Sequence, residues 1–189
     1  TNMIADMVNV RGGYPTRNWQ ESVFDHIEAV NAEGITDSVL VEGVACFACP
    51  VTCGRSTAIK EGKWQGNSGE GPEYETLCGF TSRIGNQDLK FALEMNNTLN
   101  QMGLDSITAS EVIGWIMECQ ERGFIDPDDL DGFRISWGET DKIREAVDLM
   151  VHRRGIGDEM AGGTTKMSKR FGEEAQKLVM QVKGLDVIC

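Results

Sequence analysis

Three cysteines lie within one short stretch, at Cys46, Cys49 and Cys53, in a C-x2-C-x3-C run with Pro50 directly after the second. Thiolates two and three residues apart can point into one metal centre while backbone amides of the same loop face its sulfides. The apolar residues before the run would give the centre a low-dielectric flank; they are Val39, Leu40, Val41, Val44 and Ala45. The run therefore predicts an iron–sulfur cluster.

Three other interpretations of this cysteine run remain open. Free cysteines are often buried in cores, although three in one loop beside glycine and proline are unusual there. A structural zinc site also uses C-x2-C, but it commonly shows a second cysteine pair or histidines, and His26 and His152 lie in separate predicted helices. Disulfides are least favoured, since no secretory signal precedes the run. A cluster with four irons would need a fourth ligand from Cys78, Cys189 or outside the chain, because Cys119 is predicted to pack in the core.

The bulk composition excludes some classes of partner. The 189 residues include 18 basic and 30 acidic side chains, giving a formal net charge of -12. Such a surface repels nucleic-acid backbones and anionic lipid, so no nucleic-acid or membrane partner is expected. No apolar run reaches the roughly 20 residues of a membrane span. We expect a soluble, cytoplasmic segment of a longer chain.

Helical periodicity dominates the elements that must position the cysteine run, and strand patterns are scarce. A first helix is predicted from Asn18, with Glu21 completing a capping box. The other predicted helices cover residues 87–102 with Gly103 as the C-terminal cap, residues after Thr108 with Glu111 as capping partner, 139–154, 165–171 and 173–182.

The predicted strands are few and short. They comprise a strand at 38–44 and a hairpin around Glu61-Gly62, with arms at 58–60 and 63–65. Between Cys53 and Gln87 the chain is glycine-rich, and loops this long in a compact domain are usually functional or disordered. The predicted fold class is mainly α: an irregular helical domain with a cysteine-rich cluster loop and at most a small hairpin.

Four segments together resemble the tungsten-dependent aldehyde ferredoxin oxidoreductases, and specifically their second, mostly helical domain. They occur in the family's order along almost the whole chain: Tyr-Pro-Thr-Arg-Asn-Trp at 14–19, the cysteine run, Gly-Pro-Glu-Tyr-Glu-Thr at 71–76, and Gln-Met-Gly-Leu-Asp-Ser-Ile at 101–107. The resemblance implies that residues 1–189 form a single helical domain. The N-terminal pterin-cradling domain and the C-terminal domain would then lie outside this chain.

The resemblance also implies a reaction and its cofactors. A tungsten, or molybdenum, held by two pterins would oxidise an aldehyde to a carboxylic acid and pass electrons through a [4Fe-4S] cluster to ferredoxin. Cys46, Cys49 and Cys53 would supply three cluster ligands, with the fourth from a later domain. The parent enzyme would be a homo-oligomer, and the isolated segment would be inactive.

The family's pterin-binding motif has the form Asp-x-x-Gly-Leu-Asp. Here it corresponds to Asn100, Gly103, Leu104 and Asp105, with an asparagine in place of the first aspartate. An amide can hydrogen-bond a pterin ring but brings no charge. Glu94 resembles a family glutamate that holds a bridging metal between two subunits in a Glu-x-x-His pattern, although the fourth position here is Asn97.

Glu75 is the predicted catalytic carboxylate, with Glu73 as a second candidate. Oxidising an aldehyde to an acid releases protons, and a carboxylate whose pKa is raised in a dry pocket can accept one near neutral pH. Alternatively, one or both glutamates cap a helix starting at Thr76.

Other functions remain open beside this one. The alternatives are a family member that reduces an aromatic thioester, a stand-alone iron–sulfur module, and an interaction domain stabilised by zinc.

Overall fold

The computed structural model describes the backbone of residues 2–189 and the side chains of residues 4–189. The α-helices, in chain order, are α1 (Asn2–Val10), α2 (Ile27–Val30), α3 (Ala32–Ser38), α4 (Tyr74–Gly79), α5 (Leu89–Met102), α6 (Ser106–Glu121), α7 (Thr140–His152), α8 (Gly157–Met160), α9 (Thr164–Met167) and α10 (Glu173–Lys177). Short 3-10 turns cover Ser82–Ile84, Pro127–Leu130 and Ser168–Arg170. The strands are β1 (Leu40–Val44), β2 (Gly54–Ala58), β3 (Ser68–Glu70), β4 (Gln181–Val182) and β5 (Leu185–Asp186).

Helix α6 lies at the centre of the domain. It is buried along nearly its whole length, from Ala109 to Cys119, and it contacts α4, α7, α9 and the 3-10 turn at 82–84. Its Trp115 indole Nε1 donates a 2.8 Å hydrogen bond to the Ala175 carbonyl in α10, which ties the C-terminal part to the core. A helix buried on all sides needs partners for every polar side chain it carries.

Two of the predicted long helices are confirmed with small changes at their ends. Asp88 caps α5 by accepting hydrogen bonds from the Lys90 and Phe91 amides, and Gly103 ends it in the left-handed conformation, at φ 69°. Helix α7 follows the predicted 139–154 closely, with Glu139 and Arg153 as its flanking residues.

Helix α6 begins earlier than predicted. Asp105 accepts a 2.8 Å hydrogen bond from the Thr108 amide, so the helix begins at Ser106 and Glu111 is buried inside it. The capping role predicted for Glu111 is therefore wrong.

The helix predicted to begin at Asn18 is also wrong. Arg17, Asn18 and Trp19 all have left-handed backbone, with φ of 48°, 51° and 67°. The next helix along the chain is α2, which begins at Ile27. The reason is tertiary: the Asn18 amide donates to the Arg83 carbonyl, and its side-chain Nδ2 donates to the buried Glu118 carboxylate at 2.7 Å. These long-range bonds outweigh the local helical pattern.

A small antiparallel sheet with strand order β1-β2-β3 carries the cysteine run between its first two strands. The strand predicted at 38–44 is confirmed as β1. The hairpin around Glu61-Gly62 is wider than predicted, because its strands are β2 and β3 and residues 59–67 form the connecting loop. Hydrogen bonds between Ile59 and both Gly66 and Asn67 close that loop.

The C-terminal segment differs from the prediction as well. The helix predicted over 173–182 ends at Lys177, and a hairpin of β4 and β5 follows with Gly184 at φ 84° in its turn. Strand β5 contacts α6 and α9. The predicted fold class, mainly α with little strand, is confirmed. No helix among residues 2–189 combines the length and apolar content of a bilayer span.

Gly157, at the start of α8, allows a close approach of two backbones. A Cβ there would lie 2.2 Å from the Leu149 carbonyl oxygen. Replacing Gly157 with alanine is therefore expected to reduce the free energy of unfolding by about 1–3 kcal/mol, because the backbone of α7 has to move. Urea denaturation measures this change. The control is Gly172→Ala, where a Cβ meets nothing within 4 Å and stability should stay equal or rise slightly; equal losses in both variants would contradict the steric explanation.

Candidate functional site

The cysteine run forms an exposed loop at one end of the small sheet. Val44 and Gly54 are paired residues of β1 and β2, so both ends of the loop 45–53 are held together. Within it the Cys49 amide donates to the Cys46 carbonyl at 3.0 Å, and Ala48 has φ 58°. The side chains of Cys46, Cys49 and Cys53 are exposed.

The three thiols do not form a preorganised metal site. Among the described side chains, no group of three or more histidine, cysteine or acidic residues is arranged to hold a metal. The donor set nonetheless suits iron and sulfide, since three soft sulfur donors stand on one accessible loop with anchored ends.

The remaining cysteines lie in the interior or near the C-terminus, and all six cysteines are free in the described structure. Cys119 is buried in α6, as predicted, and Cys78 is buried in α4, where its thiol approaches the Ser82 hydroxyl at 3.4 Å. Cys189 is half-buried. The structure does not bring a fourth sulfur to the exposed loop.

The predicted catalytic glutamates lie at the start of α4. Glu73 is the exposed residue before the helix, and its side chain makes no capping hydrogen bond. Glu75 is in the first turn and half-buried, and its buried Oε2 atom has no hydrogen-bond partner among the described side chains and backbone. The helix begins at Tyr74 rather than Thr76, so the capping interpretation does not explain these carboxylates.

Burial raises the pKa of the Glu75 carboxyl above its ordinary value. The Arg83 guanidinium opposes this shift, and the neighbouring Glu73 carboxylate adds to it. A carboxylate with a raised pKa binds a proton more readily than one in water, as a general base near neutral pH requires.

Two tyrosines lie beside this part of α4. Tyr74 and Tyr14 are buried and make an edge-to-face contact with ring centroids 5.9 Å apart. Both hydroxyl oxygens are buried, and neither has a hydrogen-bond partner within the described part of the chain. Burial raises the pKa of both hydroxyls. Both rings therefore carry neutral hydroxyls at physiological pH.

A fully buried ion pair lies next to these residues. The Arg83 Nη1 atom is 2.9 Å from Glu111 Oε2, and neither side chain is exposed. Arg83 also donates to the Val187 carbonyl at 2.8 Å, and Glu111 accepts from the Met180 amide at 3.2 Å. The pair joins the turn after α4, helix α6 and the C-terminal hairpin.

Sequence reasoning missed the Arg83–Glu111 pair. The only signal was a glutamate at position 111 directly before the apolar Val112 and Ile113 of a predicted helix. Nothing in the sequence indicated Arg83 as its partner.

The predicted pterin residues lie where α5 meets α6, with Asn100 in the last turn of α5 and Gly103, Leu104 and Asp105 in the connecting turn. Asn100, Gly103 and Asp105 are exposed and Leu104 is half-buried. Both ends of the turn are anchored, since Gly103 caps α5 and Asp105 caps α6. The exposed groups are the Asn100 amide, the Gly103 backbone and the Asp105 carboxylate.

Glu94 lies apart from these groups. It lines a cleft of about 660 Å³ between α5 and α7, which includes none of the cysteines, Glu73 or Glu75. Its carboxylate pairs with the Arg144 guanidinium at 3.2 Å and accepts a hydrogen bond from Asn67. The structure therefore places the predicted site residues in four locations, of which α4 contacts both helices that flank the pterin turn.

Comparison with known proteins gives a consistent family assignment. A family model described as aldehyde ferredoxin oxidoreductase, domains 2 and 3, matches residues 1–189. A tungsten-containing aldehyde ferredoxin oxidoreductase from Thermococcus kodakarensis is 31% identical over 188 residues, covering 99% of this chain and 30% of the relative. An aliphatic sulfonate oxidoreductase WOR-like subunit from Pyrococcus furiosus is 30% identical over 183 residues, covering 94% of this chain and 29% of the relative.

A solved structure supports the fold. The active-site complex BamBC of benzoyl coenzyme A reductase, in complex with 1,5-dienoyl-CoA, superposes with a TM-score of 0.75 and 20% identity, covering 98% of this chain and 27% of that one. At this identity the likeness concerns the fold alone.

The chain spans about 30% of the length of its curated relatives. The family model, the order of the four sequence motifs and the helical fold agree over the full length. The chain therefore belongs to the aldehyde ferredoxin oxidoreductase family, within the part of it that contains domains 2 and 3.

Proposed function

We propose that this chain forms part of a tungsten-pterin enzyme, or its molybdenum equivalent, that oxidises aldehydes to carboxylic acids. The observation that carries the proposal is Glu75: its carboxyl has a raised pKa and a buried Oε2 atom without a partner, at the family's Gly-Pro-Glu-Tyr-Glu-Thr position. An unpartnered buried oxygen is costly and is commonly explained by a functional role. The name of the relatives as tungsten-containing aldehyde oxidoreductases supports the same conclusion.

The overall reaction converts an aldehyde and water to a carboxylic acid, two protons and two electrons. A tungsten-pterin group, when bound, supplies the two-electron redox chemistry. Glu75 accepts a proton at Oε2 as the carbonyl carbon gains its oxygen, and it releases that proton to solvent afterwards. Tyr14 and Tyr74 form a buried aromatic contact at this end of α4, and we propose that these rings limit the access of water to Glu75.

The remaining predicted residues hold the redox groups in this proposal. The turn with Asn100, Gly103, Leu104 and Asp105 binds the pterin edge through its exposed amide, backbone and carboxylate. Cys46, Cys49 and Cys53 would hold a [4Fe-4S] cluster, with a thiolate from another domain as the fourth ligand. Such a cluster would supply one-electron transfer towards ferredoxin.

The proposed partners follow from this assignment. The remaining domains of the parent chain would cover the exposed pterin turn and the cysteine loop, and the parent would form a homo-oligomer in the cytoplasm. Because the chain itself carries a formal charge of -12, an acidic ferredoxin would dock on another surface.

Replacing Cys49 with serine tests the cluster directly. The full-length enzyme is expected to lose its acid-labile sulfide and most of its iron, because a hydroxyl is a poor ligand for iron in a sulfide cluster. Anaerobic iron and sulfide analysis gives the measurement. Cys119→Ala is the matched control, since that thiol is buried in α6 and its loss should leave the iron content unchanged. Zinc without sulfide in the unmodified protein would refute the cluster.

A further inference from the structure

The cleft between α5 and α7 contains Glu94, the residue that resembles a bridging-metal ligand of the family. Both oxygens of its carboxylate are engaged by groups of this chain. Oε1 is 3.2 Å from Arg144 Nη2, and Oε2 accepts a hydrogen bond from the Asn67 side chain. The Glu94 side chain is only 13% exposed, so the carboxylate depends on these partners.

Asn97 occupies the position where the Glu-x-x-His pattern places its histidine. Its Nδ2 atom donates to the Asn67 oxygen, and Asn67 in turn donates to Glu94. The Asn97 side chain is also tightly packed, since a Cβ on Gly69 would lie 2.6 Å from its Oδ1 atom. The three side chains form one hydrogen-bonded chain that offers no nitrogen lone pair to a metal.

Arg144 also contacts an aromatic ring. Its guanidinium carbon lies 5.5 Å from the centroid of Trp64, within the range of a cation–π contact. An arginine guanidinium is always protonated, so Arg144 places a permanent positive charge beside the Glu94 carboxylate that a metal would otherwise neutralise.

We infer that Arg144 replaces the bridging metal in this chain. The guanidinium neutralises Glu94 from within the same chain, and Asn67 and Asn97 satisfy the remaining hydrogen bonds, so no divalent cation binds between copies at this face. The inference depends on family membership and not on the proposed reaction. Its failure would leave the cluster and the catalytic glutamate unaffected.

Cobalt titration of the chelator-treated full-length enzyme tests this inference. Co²⁺ bound by histidine and carboxylate has visible absorption bands. These bands can be measured whether or not the enzyme is active. The unmodified enzyme is expected to show no Co²⁺ binding that is lost when Glu94 is replaced with glutamine. The double variant Asn97→His/Arg144→Ala is expected to gain a Co²⁺ site, and adding Glu94→Gln to it should abolish that site.

The matched control is Asn97→His/Arg170→Ala. Arg170 is also an exposed arginine paired with a glutamate, Glu159, but it lies outside the cleft, so this variant should gain no site. Circular dichroism checks that all variants remain folded. Co²⁺ bound to the unmodified enzyme and lost on Glu94→Gln would overturn the inference. Failure of the folded Asn97→His/Arg144→Ala variant to bind Co²⁺ would overturn it as well.

Discussion

Replacing Glu75 with glutamine is expected to lower the rate of the proposed aldehyde oxidation by the full-length protein about 10²- to 10⁴-fold, the range typical of a lost general base. Glutamine keeps the shape of the side chain and its half-buried place in the first turn of α4, but its amide cannot accept the proton. Steady-state kinetics with a saturating aldehyde measures this loss, and the effect should appear in kcat.

The pH profile gives a second measurement of the same residue. Burial raises the pKa of Glu75, so its ionised, proton-accepting form is lost at a higher pH than for an ordinary glutamate. The rate of the unmodified enzyme should therefore fall as the pH decreases through that raised pKa. In Glu75→Gln this acidic limb should disappear.

Glu73→Gln is the matched control for Glu75, because it alters a neighbouring carboxylate that is exposed and makes no capping bond. Its removal should lower the rate by less than about tenfold, through a small change in the pKa of Glu75. A Glu75→Gln enzyme with full activity and an unchanged pH profile would exclude Glu75 as the base.

Removing one partner of the buried Arg83–Glu111 pair is expected to have the largest effect on stability. Arg83→Met or Glu111→Leu alone should reduce the free energy of unfolding by about 3–5 kcal/mol, because each leaves a charge or its hydrogen-bonding groups buried without a partner. The double variant Arg83→Met/Glu111→Leu should lose much less than the sum of the two. Urea denaturation of all four proteins completes this double-mutant cycle.

The exposed pair Arg170–Glu159 is the control for the buried pair. Both of its side chains are about 40% exposed, so breaking it should change the stability by less than about 1 kcal/mol. Additive losses in the Arg83 and Glu111 variants would show that the two residues do not act as a pair.

Glu111 also makes the free energy of unfolding depend on pH. Burial raises the pKa of Glu111 to about 7 against an ordinary 4.5, although Arg83 and the Met180 amide oppose the shift. Between these values the folded state binds more protons at this site than the unfolded state. The stability contributed by Glu111 is therefore complete below about pH 4.5 and is lost as the pH rises through about 7. In Glu111→Gln that slope should be absent.

Local patterns were sufficient where short-range interactions decide the structure. Helices α5 and α7 follow their predicted ranges because apolar spacing, capping residues and Gly103 act within one or two turns. They failed at Asn18, whose hydrogen bonds go to residues 65 and 100 positions away, and the chain there adopts three left-handed residues instead of a helix. No sequence window contains such partners.

By itself, the sequence determined the donor chemistry of this protein: three closely spaced thiols, the Gly-Pro-Glu-Tyr-Glu-Thr segment with Glu75, and the family to which the chain belongs. Only the tertiary structure decided that Arg83 pairs with Glu111 and that Arg144 faces Glu94. The physical reason is that a thiol or a carboxyl is a property of one residue. The charges near such a group and the extent of its burial depend on which distant segments fold against it.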